Sequence, residues 1–228
     1  MTITPKGGTG PGSITPDGSP VDFYTLLSPG DDPEIISGAV TPGGTILELG
    51  AGVGRVTHAL LERGHRVTAV DESADMLAHV KGAEIVHSGI EGLDLGRRFD
   101  AVTLGSQLVN TADDELRQVF LAVCARHIAP TGCVLLQWQP AEAHDAWQAG
   151  NGREENGIRI EMARVERITP ELFSSTMRYT AGERVWTQSF TSRRLTDEEL
   201  AAELERVGLA LDRFLDERRT WVRAVPTG

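Results

Sequence analysis

The stretch ILELGAGVGRVTHALLERGHRVTAVDES, Ile46 to Ser73, decides how this chain is read. An apolar run of strand length, TILELG, breaks into Gly50-Ala51-Gly52-Val53-Gly54. A helical period follows, VGRVTHALLERG, with Val53, Val56, Leu60 and Leu61 on one face and Gly64 as its stop. HRVTAVD is then a second strand, ending on Asp71. Glycines between a strand and a helix let the backbone approach a ligand closely.

The kind of ligand follows from what surrounds the glycines. A dinucleotide fingerprint reads G-x-G-x-x-G and rests a pyrophosphate on the helix N-terminus. Here the third glycine comes one residue early, and Arg55 stands where that pattern wants glycine. Glu48, two residues before Gly50, would repel a pyrophosphate but suits an ammonium group. The lysine of a Walker loop is absent. The loop therefore fits a nucleoside bearing an amino-acid zwitterion and no phosphate. Asp71 lies 21 residues after Gly50, where a carboxylate accepts both ribose hydroxyls. Met76 and Leu77 follow, placed either to pack on a purine or to fill the core.

Outward from this stretch, short apolar runs alternate with helical periods. SADMLAHV is a helix capped by Ser73; AEIVHS and FDAVTLGS are strands three and four. TADDELRQVFLAVCARHIAP is an amphipathic helix with Leu116, Phe120, Val123 and Ile128 inward, and GCVLLQWQP is strand five. This alternation means βαβ units and a parallel sheet. After Trp147 the period becomes two, through GIRIEMARVERI, ELFSSTMRYT and ERVWTQSFTSRR, which predicts an antiparallel meander. Thr196 and Glu199 form a capping box for a last helix, and LALDRFLDERRTWVRAVP closes as two strands. Upstream, a short helix over 31–40 is expected, with Asp31 or Asp32 as cap and Pro33 in its first turn. Residues 1–20, rich in Gly, Pro, Thr and Ser, read as a flexible tail.

The stretch through Leu77 resembles motifs I and II of the class I S-adenosylmethionine-dependent methyltransferases. Their [DE]-x-G-x-G-x-G is met by Glu48, Gly50, Gly52 and Gly54, and their strand-two acid by Asp71. The resemblance implies an α/β, Rossmann-like, seven-stranded mixed sheet in order 3-2-1-4-5-7-6, with strand seven antiparallel and helices on both faces. It implies one domain over 21–228, with 157–194 as an antiparallel β insertion before the last helix, serving as lid or dimer contact. The implied cofactor is S-adenosyl-L-methionine, leaving as S-adenosyl-L-homocysteine. The implied cofactor-binding residues are Glu48, Gly50, Ala51, Gly52, Gly54, Asp71, Glu72, Met76, Gly89 and Ile90, with Tyr24 either on a segment folded over the site or a plain packing residue. One departure stands out. Many members carry an acid after strand three that binds the adenine amino group; here the stretch is Ser88-Gly89-Ile90 and Gly89 takes its place.

Candidates for handling the acceptor lie in GSQLVN after strand four and QWQPAEAHDAW after strand five. Gln107 and Asn110 are orienting groups, Asn110 equally a helix cap, and His144 is either a general base or a plain loop histidine. The other histidines, among them His65 and His127, read as surface residues. The [DN]-P-P-[YFW] of amino-methylating nucleic-acid enzymes is missing, and a set of metal-binding carboxylates cannot be assembled. A net charge of −11 with only isolated arginine doublets argues against a phosphate-backbone partner. Cys124 and Cys133 read as buried thiols in a reducing cytosol, and no run is apolar enough to span a bilayer. The expected activity is methyl transfer to O, N or C of a small molecule, with a bacterial natural product among the candidates, by a cytoplasmic monomer or homodimer. The alternatives are a non-methylating reaction such as cyclisation or decarboxylation on the same fold, and a non-catalytic binding protein.

Overall fold

The computed structural model describes residues 6–228. In chain order its elements are β1 (Gly7–Thr9), α1 (Val21–Tyr24), α2 (Asp32–Ala39), β2 (Thr45–Leu49), α3 (Arg55–Glu62), β3 (Arg66–Asp71) and α4 (Ala74–Leu77). Then come β4 (Glu84–His87), β5 (Phe99–Leu104), a 3-10 turn (Leu108–Asn110), α5 (Asp114–His127), β6 (Ile128–Gln137) and α6 (Ala141–Asp145). The chain continues through β7 (Gly152–Glu155), β8 (Ile158–Arg167), β9 (Leu172–Ala181) and β10 (Arg184–Arg193). It ends with α7 (Asp197–Glu205), β11 (Leu209–Phe214) and β12 (Trp221–Pro226). These elements group into two compact units: residues 28–140 with 196–228, and the segment up to Leu27 with 141–195.

The larger unit is built on a seven-stranded sheet in the order β4-β3-β2-β5-β6-β12-β11. In sheet nomenclature this is 3-2-1-4-5-7-6. Ile46 of β2 faces Val67 of β3 and Ala101 of β5 in parallel register, while Trp221 of β12 meets Gln137 of β6 antiparallel. A strand with both faces covered reads as a largely apolar run, and β2 does, broken only within it by Glu48: Ile46, Leu47 and Leu49 are fully buried. One face packs Ile36, Leu60, Leu135 and Trp221, and another cluster joins Ala51, Ala69, Leu77 and Val80. Removing a side chain such as Leu60 from this packing costs roughly 2–5 kcal/mol. The capping box of α7 forms as expected, Thr196 Oγ1 accepting from Glu199 N (3.2 Å) and Glu199 Oε2 from Thr196 N (2.7 Å). Cys124 and Cys133 are buried free thiols, and burial pushes the Cys124 thiol up to about 12.

The smaller unit is an antiparallel sheet in the order β1-β10-β9-β8-β7. It starts at Gly152, earlier than the predicted 157, and takes in the chain's N-terminal segment. Residues 6–20 are thus not a flexible tail, while residues 1–5 lie outside the described residues. Gly7–Thr9 pair with Thr187–Ser189 of β10, and Gly8 and Gly18 pass so closely that neither tolerates a Cβ. Trp186 Nε1 donates to Pro11 O (2.7 Å), and Gln188 Nε2 donates to Ser19 Oγ (2.9 Å). Composition alone underestimates this segment because the groups that order it lie about 170 residues away, beyond any local pattern. Phe23 then stacks on Tyr179, with ring centroids 4.3 Å apart and planes 13° from parallel. Among the described residues no helix is long and apolar enough to cross a membrane.

Candidate active site

The turn from β2 to α3 holds three glycines in the left-handed region, with φ of 74° at Gly50, 58° at Gly52 and 81° at Gly54. Any side chain is strained there, which accounts for the alternation seen in sequence. The Gly50 and Ala51 amides both donate to Val70 O at 2.9 Å, binding the loop to the end of β3. Asp71 completes the junction: Oδ2 accepts from the Gly52 amide (2.8 Å) and Oδ1 from the Ser73 amide (2.9 Å). A carboxylate has about four acceptor sites, so ribose hydroxyls can share these oxygens. Met76 is buried beneath the loop, its sulfur 4.0 Å from where a Gly52 Cβ would lie.

Glu48 is the one acid inside β2. It is buried, and Oε2 accepts from Thr57 Oγ1 at 2.6 Å. Burial raises its pKa to about 7; Thr57 and Arg55 oppose the shift, while the charges of Asp71 and Asp32 add to it. Three carboxylates are therefore felt at one place, with Arg55 as a cation tied to Ser28 O (2.6 Å). A ligand ammonium would relieve this field, and the Asp71 carboxylate, able to accept from ribose hydroxyls, ends the neighbouring strand. The residues present fit S-adenosylmethionine on these grounds.

Asp32, read from sequence as a possible helix cap, lies instead among residues at the strand ends. It is half-buried, and Oδ1 accepts from Trp221 Nε1 (2.9 Å) and Gln137 Nε2 (3.3 Å). Burial raises its pKa. Gln137 Oε1 in turn accepts from the Ser106 amide at 2.8 Å. Asp32 is thereby fixed at the C-terminal edge of β6 and linked to the loop after β5. Its partners lie 105 and 189 residues along the chain, so no local pattern announces it.

The loop after β5 is strained. Ser106 and Gln107 have φ of 52° and 57°, two successive non-glycine residues in the left-handed region. Such strain persists only where surroundings enforce it, and it gathers at functional sites. Arg117 braces the segment that follows them. Fully buried, it donates from Nε to Val109 O (2.9 Å) and from Nη2 to Thr111 O (2.6 Å), and pairs with Asp114 (2.7 Å). Asn110 is buried as well; its amide accepts from Gln139 N (2.7 Å) and donates to Gln139 O (3.2 Å), stapling the two acceptor loops together. Gln107 is exposed at the end of this frame.

At the end of β4 the Ser88 amide donates to Asp71 O (3.0 Å), and Ser88 Oγ donates to Gly89 O (2.8 Å). Ile90 is buried. Glu72 is exposed, and its carbonyl accepts from His87 Nε2 (3.0 Å). Tyr24 and His144 belong to the smaller unit. Tyr24 OH donates to Gln188 Oε1 at 3.4 Å, alongside Tyr179 OH at 2.8 Å. His144 is fully buried, with Nε2 2.8 Å from Ser192 Oγ and its ring between those of Trp147 and Phe173. His65 and His127 are buried, not on the surface; His127 accepts from the Leu95 amide (3.0 Å) and donates to Val123 O (2.8 Å).

Comparison with known proteins agrees with this geometry. Residues 46–132 match a family model described as a methyltransferase domain. Over that span the chain is similar to the methyltransferase domain family. A curated relative, a cypemycin N-terminal methyltransferase from Streptomyces sp, is 35% identical over 108 residues, which is 44% of this chain and 44% of that protein. The chain also matches solved folds along most of its length. A sugar N-methyltransferase from Streptoalloteichus sp aligns with a TM-score of 0.70 at 19% identity, covering 96% of this chain and 98% of that one. The glycopeptide N-methyltransferase MtfA, solved with S-adenosylmethionine, aligns at 0.63 and 24%, covering 94% and 100%.

Proposed function

We propose that this methyltransferase transfers the methyl group of S-adenosylmethionine to an amine nitrogen of a small natural product. The observation that carries the reading is the row of carboxylates along one sheet edge: Glu48 and Asp71 about the glycine loop, and Asp32 beyond them at the end of β6. An anionic edge on a chain of net charge −11 draws a cationic acceptor. The relative and the two aligned structures named above are all N-methyltransferases by name, which supports nitrogen over oxygen or carbon.

S-adenosylmethionine supplies an electrophilic methyl group on a sulfonium, open to in-line displacement. The chain's own part is positioning and water exclusion. Glu48 receives the ammonium, Asp71 the ribose hydroxyls, and Met76 lies under the loop. Gln107 and Asp32 orient the acceptor amine, which must be unprotonated to attack. Its remaining proton leaves to solvent, so no strongly basic side chain is required. His144, buried against Ser192, is assigned a structural role in the smaller unit rather than that of base.

The test is incubation of the protein and S-adenosylmethionine with matched amino sugars, peptide amines and their hydroxyl counterparts, read by mass spectrometry. A gain of one methyl on amines alone is expected. Methylation of the hydroxyl counterparts, or products of unchanged mass, would overturn the assignment.

A further inference from the structure

Gln137 ends β6, and Trp221, its antiparallel partner in the register, begins β12. Directly opposed residues on neighbouring strands send their side chains to the same face. Here both reach one atom. Trp221 Nε1 (2.9 Å) and Gln137 Nε2 (3.3 Å) donate to Oδ1 of Asp32, in the first turn of α2. Among the described residues no hydrogen bond is made to Asp32 Oδ2, and the residue is only half-buried.

The other end of the same amide is engaged too. Gln137 Oε1 accepts from the Ser106 amide at 2.8 Å, so the carbonyl faces the loop after β5 and the amino group faces Asp32. Ser106, with φ of 52°, is the first strained residue of that loop, and this bond holds it. The loop needs an acceptor and Asp32 needs a donor, which a side chain of this length supplies together only as an amide. A glutamate would serve Ser106 but set a second negative charge against Asp32.

Stability alone gives little reason for this arrangement. Burial raises the pKa of Asp32; the charge of Arg55 on α3 favours its ionised form and that of neighbouring Asp31 opposes it. Glu48 on β2 lies in the same field. A carboxylate kept in such a place costs folding energy and is characteristic of sites that use its charge.

We infer that Gln137 is a positioning residue for methyl transfer, setting Asp32 and the Ser106–Gln107 loop at one fixed separation so that both hold the acceptor amine together. The inference rests on the function proposed above, in which Asp32 and Gln107 orient that amine.

The experiment is steady-state kinetics and thermal melting of the full chain, with S-adenosylmethionine and the amino sugars and peptide amines of the panel above as acceptors. Gln137→Glu should lower kcat/KM for the amine roughly tenfold through a raised acceptor KM, leaving KM for S-adenosylmethionine unchanged. Its melting temperature should fall as well, from two carboxylates side by side. Adding Asp32→Asn returns a donor opposite the new carboxylate. The double variant should therefore regain its melting temperature but not its kcat/KM, because the charge now sits at residue 137 rather than 32. Recovery of both together, or an unchanged acceptor KM in Gln137→Glu, would reduce Gln137 to a structural role and overturn the inference with the proposed function intact. An unmodified protein that methylates no amine of the panel would overturn the proposed function, and this inference with it.

Discussion

Asp71 Oδ2 lies 2.8 Å from the Gly52 amide, so the acid that ends β3 is hydrogen-bonded to the centre of the glycine loop that follows β2. One side chain shapes the loop and, in the function proposed, also receives the ribose. Asp71→Ala should therefore weaken S-adenosylhomocysteine binding by about 2–3 kcal/mol, the worth of a charge-assisted pair, while lowering stability by only about 1 kcal/mol because the freed amides lie near water. Calorimetry and thermal melts separate the two. Unchanged affinity would remove Asp71 from the site.

Glu48 gives the protein a pH signature. Its carboxyl is raised from 4.5 to about 7 by burial, so the folded state holds the proton more tightly than the unfolded one. Stability from this group is complete below 4.5 and is lost as pH rises through about 7, by about 3 kcal/mol in all. A bound ammonium reverses the preference. Cofactor binding just below pH 7 should thus release a proton, visible as a dependence of the calorimetric enthalpy on buffer. Glu48→Gln should abolish the release, flatten the stability loss and weaken binding. Proton uptake instead of release would contradict the assignment.

Gly54 and Gly64 share a left-handed backbone, with φ of 81° and 85°, but differ in space. A Cβ on Gly54 meets the His58 ring at 3.0 Å and Val80 Cγ2 at 3.1 Å; one on Gly64 meets nothing within 4 Å. Gly64→Ala should cost about 1 kcal/mol for backbone strain, and Gly54→Ala about 1 kcal/mol or more beyond that for the clash. Equal losses in chemical denaturation would show that the neighbours of Gly54 yield freely.

Arg117 holds the strained loop after β5 through the Val109 and Thr111 carbonyls. Arg117→Leu leaves those carbonyls and the Asp114 carboxylate without their donor, and should cost about 3 kcal/mol. Hydrogen exchange should also quicken across residues 105–111 in the folded protein. Loss of stability without local quickening would mean that the loop is held by Asn110 alone.

Much of the fold was legible in the sequence because its signals are local. Strand–glycine–helix, the apolar runs of β2 and β3, and the Thr196–Glu199 capping box each occupy a few consecutive residues, and each appears where expected. Of the candidate site, the glycine loop and Asp71 do come together as spacing implied. Asp32 and Arg117 were invisible as site-forming residues. Asp32 reads as a cap, and the partners of both residues are set by folding rather than by spacing.

The sequence by itself determined the order of strands and helices and the glycine–acid motif, because periodicity and turn chemistry act over neighbouring residues. Tertiary structure decided the rest. It placed Gly7–Thr9 on the edge of β10, and it gathered Asp32, Gln137 and Trp221 at one end of β6. Backbone pairing and buried hydrogen bonds across long chain separations depend on which surfaces meet, and no window along the chain contains both partners.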